Sequence, residues 1–441
     1  MSTTTSAPSH PFARCFPRTL QTCQDLPDWW KARKQASWDA FQSLPMPTRT
    51  DENWRFASVN QLSLDEFASA GEITDPNRLR QIEESSPVLS EIAGLLIFVN
   101  DQLVSFQPVD ASLAEKGVIW QPLSQALKEH PDLLEKHFMA QPVELGSEKF
   151  SALHGALCKE GSFLHVPKGV EIDKPFLAYH WVTGENQAIF PHTLVIADDL
   201  AKVTVLDSFN SVEKDARQAI VGINDLYAGP GSKVNYFSTQ NWSRNALAFH
   251  LNSTQVFRDA FITALNLNLG SRIARSECHS RVLGEGAHSE MLSLTVGKDG
   301  QEFDQRTLQT HYKGHSVSDL LYKNALLDKS RTIFSGLIRV MEEAQQTDAY
   351  QTNRNLLLNP SAEANSLPGL EILANDVKCS HGATTGQIDE EQLYYMKARG
   401  IPEKVALELL TYGFFEEVLE KISHEEIGEL FRGLIRQKFQ D

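Results

Sequence analysis

Cys379 and His381 stand two residues apart in the stretch Asp376-Val-Lys-Cys-Ser-His-Gly-Ala-Thr-Thr-Gly-Gln-Ile-Asp389. On an extended segment, positions i and i+2 project to the same face. A thiolate and an imidazole would then meet one neighbour together, and both suit iron or zinc. Two donors do not fill a coordination sphere of about four, so the rest must come from distant sequence or from another chain. Gly382 and Gly386 allow unusual backbone angles or close approach. Taken alone, the residues equally fit a buried cysteine beside a surface histidine in a Gly-rich turn.

Other candidates are weaker. Cys278 and His279 are adjacent, and adjacent strand residues face opposite ways. One core cysteine and one surface histidine are expected there. His311 and His315 are four apart, but Gly314 lies between them in a strand-like region, against a helical metal pair. The five cysteines (Cys15, Cys23, Cys158, Cys278 and Cys379) form no CxxC pair, so neither a zinc ribbon nor a self-sufficient cluster site is visible. Most of these thiols are expected to fill core. There is no P-loop, no GxGxxG between strand and helix, no GxSxG and no HExxH. No residue is assigned a catalytic role. Asp198-Asp199 falls at a coil corner, but an acid-lined polysaccharide groove belongs to secreted proteins. The polar start, Met1 to His10, lacks the features of an export signal.

A length of 441 residues predicts two to four domains. The formal charge of −16 argues against nucleic acid and anionic membrane as partners. No run of 18 apolar residues occurs, so no spanning helix is expected, and the cytoplasm is the expected location. Three textures divide the chain. Residues 1–150 read as mainly helical, with Trp29, Trp30, Trp38 and Phe41 on a helix, a Pro-punctuated linker from Pro45 to Arg55, and a helix from Asp75 to Glu84. Residues 151–385 alternate short Val-, Ile-, Phe- and Thr-rich runs with turn residues. Residues 386–441 are helical. They predict a helix stopping near Gly400, a second from Pro402 to Gly413 and a third from His424 to Phe439. So small a helical element must pack on the β region, bind a partner, or both.

Within 151–385 a turn residue followed by a strand start recurs at Val203, Val234, Ile262, Ser289, Val317, Thr332 and Ala364. The spacings are 31, 28, 27, 28, 15 and 32. A period near 30 without helices fits a parallel β-helix. A β-sandwich with irregular loops fits the strands as well.

Thr352-Asn-Arg-Asn-Leu-Leu-Leu-Asn359 and the stretch from Leu370 to Ile401 that holds Lys-Cys-Ser-His-Gly-Ala-Thr resemble the SufB/SufD family, and that form is closest to its SufD branch. Phe163 to Val170 and Asn53-Trp-Arg-Phe56 add weaker likeness. The resemblance implies a mainly β chain: a right-handed parallel β-helix core at 151–385, flanked by N-terminal (1–150) and C-terminal (386–441) helical domains. It implies a scaffold subunit of a SufBCD-type complex that assembles iron–sulfur clusters. The partners would be a SufB-like paralogue and a SufC-like ABC ATPase docked on the C-terminal helices. A homodimer is open to the isolated chain. His381 and Cys379 would be metal and cofactor ligands for transient iron or a nascent iron–sulfur cluster shared with the SufB-like partner, with no nucleotide site in this chain. The competing readings are a purely structural adaptor for the ATPase and a SufB-like primary scaffold. The latter would need further cysteines, for which only Cys158 and Cys278 are candidates.

Overall fold

A computed structural model describes residues 11–440; the polar start, Met1 to His10, lies outside the described residues. Between Gly161 and Gln387 the chain winds into a parallel β-solenoid of about eight turns, each turn laying one strand in each of two sheets. Every internal strand pairs with the strands one turn before and one turn after it. The backbone groups of a turn are thus satisfied by its neighbours, and only the ends of the stack carry free edges.

The register explains the repeat. Val203, Val234, Ile262 and Ser289 are direct partners in one sheet. Their ladder continues through Ser318, Ala349 and Cys379. Val317 is therefore one residue out of step, and a one-residue slip turns a side chain to the other face. Thr332 and Ala364 pair with each other in the second sheet. The odd spacing of 15 was the crossing from one sheet to the other within a turn.

The recurrent turn residue has a backbone cause. Leu200, Gly231, Asp259, Gly286, His315 and Gln346 all have φ between +50° and +70°. Each stands two residues before a strand of the sheet that ends in Lys378–Gln387. The chain must turn a corner there, and the left-handed region makes the turn. His315 is one of these corners, whereas His311 is buried with its ring nitrogens against Ser316 and Ser318. They do not form a metal pair.

The two ends of the solenoid differ. At the first turn, a hairpin of Gly94–Val99 and Gln102–Gln107 extends one sheet, and Ile119–Pro122 extends the other antiparallel. At the last turn, Glu363–Ile372 and Lys378–Gln387 are terminal strands with no further neighbour among the described residues.

Helices flank the core. Asp28–Ser43 buries Trp30, Trp38 and Phe41 and packs on Glu148–Leu157. The buried Lys34 ammonium donates to the carbonyls of Ala156 and Cys158 at the end of that second helix, where a cation is favoured by the helix dipole. Pro76–Glu84 begins as expected, with the Asp75 carboxylate accepting the Asn77 N–H at 3.0 Å. At the C-terminus, Glu390–Ala398 is followed by Glu403–Leu419 and Glu425–Gln440. The middle helix does not stop at Gly413; it runs on to Leu419, because Phe415, Val418 and Leu419 are buried. Their burial beside Phe237, Leu265, Leu292 and Leu321 outweighs the weak helix propensity of one glycine. No helix among the described residues is long and apolar enough to cross a membrane.

The buried titratable groups set a pH dependence. Burial holds His154 and His180 down to about 3, His311 to about 4, His279 to about 2, and His192 well below its ordinary value. Unfolded, each takes a proton near 6.5. Their contribution is complete above that value and is lost as pH falls toward the folded values. Burial raises Asp207 to about 6 and Asp101 and Asp225 to about 7, and it also raises Glu160, Glu277 and Asp319; these six act in the opposite sense. Burial lowers His137, His250 and His288 as well, so eight histidines outnumber six acids and the unfolded chain binds more protons. The urea midpoint is expected to fall between pH 6.5 and pH 4.5, with a slope that His311→Asn makes shallower. A flat or rising midpoint would contradict the assignment.

Candidate functional site

Lys378–Gln387, the last strand, carries both residues of the Cys-Ser-His motif. Cys379 pairs in register with Ala349 and His381 with Gln351. Ala349, Gln351, Asn353 and Asn355 are buried inside the solenoid, so the alternation of the pleat turns Cys379 and His381 inward as well. The expected common face is therefore formed.

The two side chains differ in surroundings. Cys379 is half-buried against a cluster of Ile338, Val340, Ala344, Ala349 and Ala374. That burial pushes its thiol up, only partly offset by the Ala349 backbone. In this chain alone it is a thiol. His381 is exposed because no further turn covers it. Beneath it lies a floor of amides. Asn324 donates to Asn355 Oδ1 at 2.8 Å, Asn355 donates to Asn353 Oδ1 at 2.9 Å, and Ser366 donates to Asn353 Oδ1 at 2.7 Å. Gln351 Oε1 and Asn353 Nδ2 are buried without a hydrogen-bond partner. Tyr350, Leu370, Ile372 and Leu373 are exposed apolar groups on the last two turns.

The free edge can also be assigned. The Lys378 N–H donates to the Thr347 carbonyl at 2.8 Å. Main-chain groups alternate along a parallel strand. Those of Cys379, His381, Ala383 and Thr385 therefore point away from the solenoid, in position to pair with an added strand.

The other cysteines are enclosed. Cys278 points into the lumen beside Met291, Leu320, Tyr322 and Phe334, and the Asn252 amide donates to its sulfur at 3.3 Å. Burial raises its pKa and that of the fully buried Cys158. His279 is not the expected surface histidine. It is 6 % exposed, covered by Glu144 and Arg281 from the N-terminal region and solenoid. Among the described residues, no three His, Cys, Asp or Glu side chains are grouped to hold a metal ion. The motif supplies one sulfur and one nitrogen, half of a four-ligand set.

Gln351 and the amides around it carry no motif and were missed in the sequence. Counting back one period of 30 from His381 would have found Gln351. Arg275, discussed below, was missed because nothing in the sequence marks a strand arginine as buried.

On the C-terminal helices, Tyr394, Tyr395, Val405 and Leu409 are exposed. The remainder of this element is tied down: Lys323 donates to the Phe414 carbonyl at 2.8 Å, and Lys421 lies 2.8 Å from Glu290.

Comparison with known proteins gives concordant matches. Residues 180–414 match the family described as the SufBD core domain of the SUF system for FeS cluster assembly. Residues 20–177 match the SufBD protein N-terminal region. The iron–sulfur cluster assembly protein SufD of Bacillus subtilis is 29 % identical over 93 % of this chain and 94 % of its own length. Iron–sulfur cluster assembly SufBD family proteins of Staphylococcus saprophyticus and Staphylococcus aureus are 24 % and 25 % identical, each over 94 % of this chain and 90 % of its own length.

Proposed function

Because this chain belongs to the SufBD family of iron–sulfur cluster assembly proteins, we propose that it is the SufD-type scaffold subunit of a SufBCD-type complex, without turnover of its own. The observation that carries this reading is the position of Cys379 and His381 on the last strand, whose outer edge is unpaired. A SufB-like paralogue ending in a similar open turn would add its strand there and complete the ligand set for a nascent cluster. The cluster is cargo, held between two chains, which accounts for only two donors here. His381 supplies a nitrogen and Cys379 an auxiliary sulfur. The enclosed state of Cys158 and Cys278 speaks against the primary-scaffold alternative, since neither thiol meets solvent. The exposed Tyr394, Tyr395, Val405 and Leu409 provide a surface for a SufC-like ABC ATPase, whose movement would be transmitted through Glu403–Leu419 to the solenoid.

Ala383→Pro tests the interface. It removes a donor from the free edge and leaves the chain's own ladder intact. The variant is expected to keep its stability within about 1 kcal/mol and to lose co-purification with a co-expressed SufB-like partner. Any homodimer of the isolated chain should disappear with it. If Ala383→Pro folds and still co-purifies, the solenoid end is not the junction.

A further inference from the structure

A cleft of about 400 Å³ lies between the N-terminal helices and the outer face of the solenoid, remote in the chain from the Cys-Ser-His strand. Its size is that of a small-molecule site, and junctions between structural units are where such sites occur. Helix Asp28–Ser43 supplies Ala36 and Ala40 to its wall, the residue that ends it adds Leu44, and the solenoid supplies Ile223 and Leu251. Charged groups gather on the solenoid side and along the loop that crosses it.

The two guanidiniums there are already engaged. Arg281, 3 % exposed, donates to Ser253 Oγ at 3.2 Å, to the Pro142 carbonyl at 2.8 Å and to Glu144 Oε1 at 3.3 Å. Arg33 donates to the Phe138 carbonyl. The acceptors are not fully engaged. Glu277 Oε1 receives the Ser147 hydroxyl at 2.6 Å and Arg275 Nε at 2.7 Å, but its Oε2 has no partner. His279 offers no vacant acceptor: its Nε2 meets Thr310 at 3.0 Å and its Nδ1 faces Glu144 Oε1 at 3.5 Å. Asp225 and Glu148 add further carboxylates to the lining. Glu277 and His279 are more than nine-tenths buried. Buried polar atoms are nearly always paired, so an unpaired acceptor on a cleft wall marks where a donor is wanted.

We propose that this cleft binds a small molecule with a flat apolar body and a hydrogen-bond-donating head of the amidine or amino-heterocycle class. The apolar body lies against Ala36, Ala40 and Leu44. The head is directed at Glu277 Oε2. Anionic ligands are disfavoured, because Asp225, Glu144, Glu148 and Glu277 face the space and both guanidiniums are held by protein oxygens.

The test uses the full chain with benzamidine as probe and benzoate as its shape-matched anion, followed by ligand-observed NMR. Benzamidine is expected to bind saturably with Kd near about 1 mM, as suits nine heavy atoms, and benzoate at least tenfold more weakly. Ala40→Trp fills the apolar half from a partly buried position on the cleft wall and is expected to weaken benzamidine at least tenfold with the fold unchanged by circular dichroism. Glu277→Gln is expected to do the same from the polar end. Equal binding of benzoate, no saturable benzamidine binding, or binding indifferent to Ala40→Trp would each overturn the proposal.

Discussion

His381→Ala, co-expressed with SufB- and SufC-like partners, is expected to yield an assembled complex depleted at least about tenfold in iron and acid-labile sulfide. The reason is local. His381 is exposed on a strand that no further turn covers, and among the described residues no hydrogen bond depends on its ring, so its loss should leave the fold intact. A neutral imidazole offers a nitrogen lone pair without first losing a proton. Cys379 is in the opposite position: burial raises its thiol pKa, so it must lose a proton against its surroundings before binding iron. Cys379→Ser is therefore expected to deplete iron less than His381→Ala. Size exclusion separates the outcomes. If His381→Ala assembles and retains iron and sulfide, the chain is a structural adaptor. If the wild-type chain fails to join either partner, the complex itself is the wrong context. A third variant, Gln351→Leu, bears on positioning. Gln351 sits one turn beneath His381 in register and has an unpaired Oε1. Its unpaired oxygen lies on the lumen row that His381 extends, so its loss is expected to lower iron loading while leaving assembly unchanged.

Much of this site was legible in the sequence because two rules act over short distances. The period-two pleat placed Cys379 and His381 on one face, and the period near 30 placed stacked residues in register. Both hold wherever backbone hydrogen bonds dictate geometry. The same logic failed where a choice depended on distant chain. Val317 looked like the repeat position because it is apolar, but Ser318 occupies the inward row. His279 looked like a surface residue because its own strand turns it away from the lumen. It is buried by residues 142–144, more than 130 positions earlier. Gly413 looked like a stop, and tertiary burial of Phe415 carried the helix through it. The lumen is not purely apolar, and no pattern in the sequence marks its polar row. Asp207, Tyr236, Asn224 and Asn252 form a chain of hydrogen bonds through it, each 2.6 or 2.7 Å long. A solenoid can bury such groups because stacked turns present like positions to one another at a fixed strand spacing, so an amide such as Asn224 finds a partner, Asn252, one turn away.

The largest stability loss is expected from Arg275→Leu, about 3–5 kcal/mol. Arg275 is 1 % exposed. Its guanidinium donates to Glu277 Oε1 at 2.7 Å, to Asp304, and to the carbonyls of Asn53 at 2.9 Å and Leu145 at 2.7 Å. Trp54 lies over it at 3.7 Å from its ring centre. One side chain thus joins two turns of the solenoid to two separate parts of the N-terminal region. This accounts for Asn53-Trp-Arg-Phe56: its backbone and indole form the receptor for a buried cation. Arg55 and Phe56 extend the same seam, since their carbonyls accept from Arg306 at 3.0 Å and Arg331 at 2.8 Å. Leucine would fill the volume and leave Glu277 and Asp304 as buried carboxylates without their shared partner, although Arg306 still reaches Asp304 at 2.6 Å. Arg275→Lys keeps the charge but cannot serve four acceptors from one planar fork, so an intermediate loss is expected. Urea denaturation measures the size of the effect, and amide hydrogen exchange at residues 53–58 locates it. Exchange there should accelerate before the solenoid strands respond. A loss below about 1 kcal/mol for Arg275→Leu, or uniform exchange throughout the chain, would mean that the seam is held by apolar packing around Trp54 and Phe150 and that the buried charges are incidental to it.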